Sequence, residues 1–199
     1  LLIHKKKILL TQDLHRYDYK NGINGLIKYI KKNNFYAILT PYIDSINIKK
    51  IKGLSGIKVS SKSLRIGATT THAEVAASKE VGKSIPSLAL LAEGIGDPQV
   101  RNRGTIGGSI ANNDPAADYP AALLAMEGTI HTNLRKIAAS DYFKGMFTTA
   151  LNDEEIITSI SFQVPAFGNY CKFPNPASRY AIVGVFISKS SKGIVRVAV

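Results

Sequence analysis

Residues 97–120, DPQVRNRGTIGGSIANNDPAADYP, constrain the fold and function of this chain more than any other stretch. The segment has almost no large apolar side chain, so it supplies little of a hydrophobic core. It supplies glycines, hydroxyls, amides and carboxylates instead, at Gly104, Thr105, Gly107, Gly108, Ser109, Asn112, Asn113, Asp114 and Asp118. A segment of bare backbone and polar hydrogens is typical of a loop that binds a ligand.

The glycines of GTIGGS, residues 104–109, predict an anion site. Because glycine lacks a Cβ, the backbone can adopt positive φ and turn its N–H groups toward one anion. Thr105 and Ser109 would add hydroxyl donors, and Asn112 and Asn113 would add amides that donate and accept. We therefore expect this segment to cradle a phosphate, although its spacing is not the G-x-G-x-x-G of a Rossmann fold.

Asp118 has two alternative roles. It stands directly before an apolar run, residues 119–126, which has Pro120 in its first turn, so its carboxylate is well placed to cap a helix. A carboxylate at the end of a polar loop is equally suited to contact a ligand, and the sequence leaves both roles open.

Three basic side chains near the loop also have alternative roles. Arg101 and Arg103 are two residues apart and could clamp a phosphate, pair with a neighbouring subunit or be ordinary surface charges. His72 stands at a predicted helix start, and no second His, Cys or carboxylate lies at metal-ligand spacing from it. We therefore predict no metal site and assign no residue a proton-transfer or nucleophilic role.

The hydrophobic pattern predicts a mixture of helices and strands. Apolar residues at helical spacing predict helices over residues 21–34 and 84–93, the latter ending at Gly94 and Gly96. Thr71 and Glu74 form a capping box that opens a short helix through residue 78. Apolar or alternating runs predict strands at residues 35–39, 64–69, 129–133, 155–164, 178–188 and 193–199.

Length and cysteine content bound the class of protein. A chain of 199 residues can bury one sizeable core or two small ones. Cys171 is the one cysteine, so the chain has no internal disulfide, which fits a reducing cytoplasm. No apolar run approaches the length of a membrane span.

The formal net charge of +12 raises the question of nucleic-acid binding. Residues 1–62 carry 13 of the 26 Lys and Arg residues but only 3 of the 14 Asp and Glu residues. The excess is N-terminal and lacks the aromatic side chains that interleave basic residues in base-reading motifs. A solvated surface is therefore favoured over a nucleic-acid module, which ranks last among the alternatives.

Residues 96–118 as a whole resemble the FAD-binding subunit of molybdenum hydroxylases, the medium chain of aerobic carbon monoxide dehydrogenase and the flavin subunit of xanthine dehydrogenases. The family pattern GDPQVRNRGTIGG, then Ser or Asn, then an ANxDPAAD-type segment, is matched nearly throughout. The resemblance continues at residues 170–173 (YCKF) and 178–188. It implies an α+β, two-subdomain PCMH-type FAD-binding fold, with subdomains at 1–60 and 61–168 and an incomplete C-terminal flavoprotein domain at 169–199.

FAD is the cofactor that the resemblance implies. It assigns the pyrophosphate to Gly104, Thr105, Ile106, Gly107, Gly108 and Ser109. It assigns the ribityl chain or the ring to Asn112 and Asp118, and the ring region to Lys172, which the residues alone predict to be solvated. It also places the region around Glu155 beside the flavin ring.

The same resemblance implies an oxidoreductase subunit in a larger cytoplasmic complex. A molybdopterin large subunit would oxidise the substrate, a small subunit with [2Fe–2S] clusters would relay electrons, and FAD would pass them to an external acceptor. The implied assembly is a dimer of heterotrimers with no nucleic acid and no membrane span.

The chain departs from the family pattern after Leu39. Residues 40–45, TPYIDS, stand where the family has an Ala-Gly-Gly loop for the FAD pyrophosphate. Pro41 removes an N–H, so this segment cannot form the same nest. The chain also begins without Met and ends at Val199 inside an apolar run, which predicts a fragment or a degraded gene copy. The alternative function is therefore a flavin-free remnant or interaction module of the family.

Overall fold

The computed structural model of the chain describes residues 7–8, 35–36, 53–152 and 155–199. The predicted helix over residues 21–34 and the glycine-free segment 40–45 lie outside the described residues. Of the strand predicted at residues 35–39, Phe35–Tyr36 (β2) is described, and it pairs in parallel with Lys7–Ile8 (β1).

An antiparallel five-stranded sheet forms the centre of the described structure. Its strands, in spatial order, are Ile57–Val59 (β3), Ser63–Gly67 (β4), Ile157–Gln163 (β9), Thr129–Thr132 (β5) and Lys136–Ala138 (β6). The strands predicted at residues 64–69, 129–133 and 155–164 are confirmed to within two residues at each end. Because β9 lies between β4 and β5, the sheet is complete only when this late segment is in place.

Seven helices accompany the sheet in the described part of the chain. They are His72–Ala77 (α1), Lys79–Ser84 (α2), Pro86–Glu93 (α3), Pro98–Arg103 (α4), Ile106–Asn112 (α5), Tyr119–Ala125 (α6) and Ala139–Tyr142 (α7). A hairpin of Phe143–Gly145 (β7) and Thr148–Thr149 (β8) follows α7. Among these helices none is both long and apolar enough to cross a membrane.

Local signals set where the first helices begin. The Thr71 hydroxyl accepts from the Glu74 N–H and the Glu74 carboxylate accepts from the Thr71 N–H, which confirms the capping box. The helix predicted over residues 84–93 begins instead at Pro86, whose ring favours the first helical turn. Residues 79–84 form the separate helix α2, capped by Ser78, which the hydrophobic pattern did not predict.

Alternation along the strands separates the two faces of the sheet. The side chains of Leu64, Ile66, Ile130, Ile160 and Phe162 are fully buried in one apolar cluster with the helices. Each contributes about 1.5–3 kcal/mol by leaving water. The residues between them point to the opposite face, which is polar.

A second antiparallel sheet contains Phe167–Pro174 (β10), Ala181–Lys189 (β11) and Val195–Ala198 (β12), with β11 in the middle. It packs on α6 through the fully buried Phe186. The hydroxyl of Ser188 donates to the carbonyl of Ala125 at the end of α6. Tyr170 and Lys172 share the face of β10 that contacts Asp118, the residue before α6, so this sheet brings residues of the C-terminal third to the polar loop.

Helix α5 lies unusually close to the end of β4. The N–H of Gly107 donates to the carbonyl of Ala68 at 2.9 Å, and the N–H of Ile106 donates to that of Thr70 at 3.1 Å. A Cβ on Gly107 would lie 2.6 Å from both the Cβ and the carbonyl oxygen of Ala68. Only glycine permits this direct contact between the two main chains.

Replacing Gly107 with Ala should lower the free energy of unfolding by about 1–3 kcal/mol, because the added methyl overpacks the contact with Ala68. Gly82 is a matched control inside α2, where a Cβ would have no atom within 4 Å. Gly82→Ala should therefore stabilise the protein by about 0.5–1 kcal/mol. Denaturant unfolding followed by circular dichroism measures both changes, and equal stability of the two variants would contradict the close packing of α5.

Candidate functional site

A cavity of about 430 Å³ lies beside the glycine-rich loop. Helix α5 and the residues before it form one wall, residues 114–118 form a second, and residues 177–180, between β10 and β11, lie opposite. The volume is within the range of about 300–1,000 Å³ that is usual for small-molecule and cofactor sites. The loop is therefore beside a space large enough for a ligand.

The wall formed by α5 presents hydroxyl and amide groups to the cavity. Thr105 is the N-cap of α5, and its Oγ1 accepts from the N–H of Gly108 at 3.1 Å. Ser109 and Asn112 follow on the same wall, and their side chains form no hydrogen bond with the residues that the structure describes. Their donors and acceptors are thus available to a ligand.

The backbone N–H groups of residues 104–109 do not form the anion nest that the glycines predicted. The N–H groups of Gly104, Ile106, Gly107, Gly108 and Ser109 donate, in that order, to Val100 O, Thr70 O, Ala68 O, Thr105 Oγ1 and Thr105 O. Gly104 has a φ of −64°, and Gly107 and Gly108 lie within α5, so positive φ is not the reason for these glycines. Close packing is the reason for two of them, since a Cβ on Gly104 would lie 2.6 Å from Nε2 of His72.

Most of the predicted cofactor-binding residues line the cavity. They are Gly104, Thr105, Gly108, Ser109, Asn112 and Asp118. Ile106 and Gly107 are buried against the sheet instead, where they hold α5 in place. Lys172 extends from β10 to Asp118 in the cavity wall.

Asp118 is the centre of a buried polar network. Its carboxylate accepts from the Tyr170 hydroxyl at 2.6 Å and forms an ion pair with Nζ of Lys172 at 2.9 Å. Nζ of Lys172 also donates to the carbonyl of Gly94 at 3.1 Å. The Asp118 and Lys172 side chains are only 6% and 11% exposed. Of the two roles left open for Asp118, the side-chain cap on α6 is not formed, and the prediction from the residues alone that Lys172 is solvated is wrong.

Tyr170 is the site residue that sequence reasoning missed. Gly184 lies across from Lys172 in β11, and a Cβ there would collide with the Tyr170 hydroxyl, so this glycine makes room for the ring. Burial, with the hydrogen bond to Asp118, raises the pKa of the Tyr170 phenol, which therefore remains a donor. The one signal in the sequence was that Tyr170 and Lys172 are two residues apart, which puts both side chains on the same face of a strand.

Two polar residues of the opening segment have structural roles. Nη1 of Arg101 donates to the carbonyls of Ile95 and Gly96 at 3.2 and 3.1 Å, which ties the guanidinium to its own loop. Asn113 adopts the left-handed conformation with φ 46° at the end of α5. Its amide donates to the carbonyls of Gly145 and Thr148 at 2.7 and 2.8 Å and so holds the β7–β8 hairpin rather than a ligand.

Glu155, expected beside the flavin ring, does not line the cavity in the structure. Its carboxylate accepts from Nε of Arg135 at 2.9 Å and from the Thr132 hydroxyl at 2.7 Å. The Arg135 guanidinium lowers the pKa of the Glu155 carboxyl below its usual value. This buried carboxylate fastens β9 to the β5–β6 turn.

An α+β domain with a polar, walled cavity of this size is typical of a cofactor-binding protein. Residues 24–166 match the family model described as the FAD binding domain in molybdopterin dehydrogenase. The chain belongs to this family of FAD-binding domains, whose members are parts of oxidoreductases. The family resemblance and FAD as the cofactor of the domain are thereby confirmed.

Named relatives extend the match to sequence and fold. The chain is 36% identical over 181 residues to the glyceraldehyde dehydrogenase medium chain of Sulfolobus acidocaldarius. This alignment covers 86% of this chain and 62% of the relative. The structure of carbon monoxide dehydrogenase from Hydrogenophaga pseudoflava matches with a TM-score of 0.68 and 34% identity, over 76% of this chain and 55% of that one. Quinoline 2-oxidoreductase from Pseudomonas putida 86 matches with a TM-score of 0.69 and 26% identity, over 75% and 56%. The chain thus spans roughly half to two thirds of the relatives it matches.

Asp118→Asn should destabilise the protein by about 3–5 kcal/mol, because the Lys172 ammonium would be left buried without a counter-charge. The double variant Asp118→Asn/Lys172→Met removes both charges and should be more stable than Asp118→Asn alone. Chemical denaturation of wild type, both single variants and the double variant measures the coupling. Additive effects of the two substitutions would contradict a buried ion pair.

The Glu155–Arg135 pair should make stability depend on pH in the acidic range. Because the folded pKa of Glu155 is lowered, the pair stabilises the fold above the unfolded value of about 4.3, and this is lost as the pH falls through the folded pKa. The unfolding free energies of wild type and Glu155→Gln should therefore differ at pH 7 and converge in acid. Arg135→Gln removes the same pair and should converge likewise, whereas a difference that is independent of pH would contradict this account.

Proposed function

We propose that this chain is the FAD-binding part of the medium subunit of a molybdenum hydroxylase and that FAD occupies the cavity beside α5. The observation that carries the proposal is that Ser109, Asn112 and Asp118 line one cavity and that Asp118 is paired with Lys172, 54 positions further along the chain. These side chains supply a hydroxyl, an amide, a carboxylate and an ammonium group, a mixture that suits a ligand with a phosphate end and a heterocyclic end.

The side chains of the cavity wall fit such a cofactor. The hydroxyls of Thr105 and Ser109 would bind the diphosphate, and the amide of Asn112 would bind the ribityl chain or a ring edge. Gly104 and Gly108 would let the backbone approach the ligand, while Ile106 and Gly107 would hold α5 against the sheet. Bound FAD supplies the redox chemistry, and the protein binds and orients it.

Lys172 and Asp118 would position the ring end of the cofactor. The carbonyl of Gly94 and the carboxylate of Asp118 fix the ammonium of Lys172, and the Tyr170 hydroxyl donates to the same carboxylate. An ammonium group held in this way keeps its position and does not have to reorganise when a ligand binds. Because this ammonium is mostly buried, its electric field acts on a ligand more strongly than it would in water.

The wider assembly is also part of the proposal. In it, a small subunit with [2Fe–2S] clusters passes electrons to FAD, and FAD passes them to an external acceptor, in a cytoplasmic dimer of heterotrimers with a molybdopterin large subunit. The relatives are called medium chains or belong to multi-subunit dehydrogenases, which supports such partners. The names of these relatives refer to different substrates, and in the proposed assembly the large subunit, rather than this chain, determines the substrate. The boundaries at residues 1–60, 61–168 and 169–199 stay a prediction.

Titrating the purified chain with FAD, followed by quenching of flavin fluorescence, tests the proposal. Wild type should show saturable binding. Asn112→Ala should weaken it by about two- to tenfold, because one hydrogen bond contributes about 0.5–1.5 kcal/mol. Asn152→Ala is the matched control, since Asn152 is exposed and lies away from the cavity lining, and it should bind as wild type does.

A folded wild-type chain that binds no FAD would overturn the proposal and leave the flavin-free remnant as the better reading. The internal bonding of five of the six N–H groups in residues 104–109 is the observation that favours this alternative. Equal weakening by Asn112→Ala and Asn152→Ala would show that FAD binds somewhere other than this cavity.

A further inference from the structure

The outer face of the five-stranded sheet carries a band of basic side chains that the cavity does not use. Alternation places the core residues on one face, so the residues between them share the other. This outer face carries Lys58 on β3, Arg65 on β4, His131 on β5 and Lys136 on β6. The central strand β9 contributes Ser159 and Ser161 to it.

The middle of this basic band is held by crossed hydrogen bonds. Arg65 lies directly opposite Ser161, yet its Nε donates to the hydroxyl of Ser159 at 2.8 Å. His131 lies opposite Ser159, yet its Nε2 is hydrogen bonded to the Ser161 hydroxyl at 2.7 Å. The serine hydroxyls therefore hold a guanidinium and an imidazole in fixed positions on neighbouring strands.

No described carboxylate balances this band. The groups that act on His131 are Arg65 from β4 and Lys136 from β6, while β9 presents only serines to it. Burial, together with these two cations, lowers the pKa of His131. Cations gathered on one face without a counter-charge favour an anionic partner.

The shape of the band indicates what kind of anion fits. From β3 to β6 there are four strand spacings, which at about 4.8 Å each give a width of about 19 Å. That is too wide for one phosphate and matches about six residues of extended polypeptide. The described residues of this face include no Phe or Tyr on which nucleic-acid bases could stack, so an acidic polypeptide fits better than a single-stranded nucleic acid.

We propose that the outer face of the sheet is a docking surface for an acidic segment of a partner protein, whose carboxylates pair with Arg65, His131 and Lys136. The surface is separate from the cavity, so the proposal stands or falls independently of FAD binding. Docking there would leave the cavity lining unchanged. Since neighbouring carboxylates favour the imidazolium form, docking should be tighter near pH 5.5 than near pH 8.

Hexaglutamate is the probe for this surface, with the imidazole resonances of His131 followed by NMR at low ionic strength. Saturating peptide should raise the pKa of His131, because carboxylates then offset the two cations. Arg65→Gln/Lys136→Gln should weaken binding by about two- to thirtyfold, since exposed ion pairs contribute about 0.2–1 kcal/mol each. Lys189→Gln/Lys192→Gln removes the same charge from the other sheet and should leave binding unchanged.

Three results would overturn the proposal. One is the absence of any shift at His131 with millimolar peptide, and another is an equal loss of binding in the two double variants. The third is tighter, Arg65-dependent binding of a twelve-residue oligothymidylate, which would make the face a nucleic-acid surface. The peptide shift at His131 in unmutated protein needs no variant, so a misfolded variant cannot decide the outcome.

Discussion

Direct bonding between two stretches of main chain is the constraint on which the rest of this structure depends. The N–H groups of Ile106 and Gly107 donate to the carbonyls of Thr70 and Ala68, and the N–H of His72 donates to the carbonyl of Gly104. A Cβ at position 107 would collide with the main chain of Ala68, and one at position 104 would collide with the ring of His72. These hydrogen bonds attach the polar loop to the end of β4, and the loop forms one wall of the cavity beside it.

This constraint changes the physical meaning of the glycine-rich motif. Its backbone amides are used to build the domain, so under the proposed function the side chains would recognise FAD, chiefly those of Ser109, Asn112 and the Asp118–Lys172 pair. Such a wall offers directional polar contacts and a buried charge pair. Pairing offsets part of the cost of burying the two charges, and under the proposed function it would hold Lys172 near the ring end of FAD.

Sequence reasoning reached the elements that local rules determine. The capping box at Thr71 and the alternating strand β9 were predicted because each depends on residues within a few positions. The role of Tyr170 was not predicted, since it depends on a hydrogen bond from β10 to Asp118, which lies 52 positions earlier in the sequence. Asp118 shows the limit within the candidate site: its position before α6 was correct, but its carboxylate bonds to β10 because tertiary partners outcompete the local cap.

The register of β10 has a consequence for how the site assembles. Tyr170 and Lys172 face Asp118, while Cys171 between them faces away and is exposed. Since side chains alternate along a strand, a slip of one residue would turn the thiol toward Asp118 and send both partners outward. Molecules with the slipped register would thus be unable to complete the cavity wall. A ligand that needs this wall would be retained only by molecules in which β10 is correctly aligned.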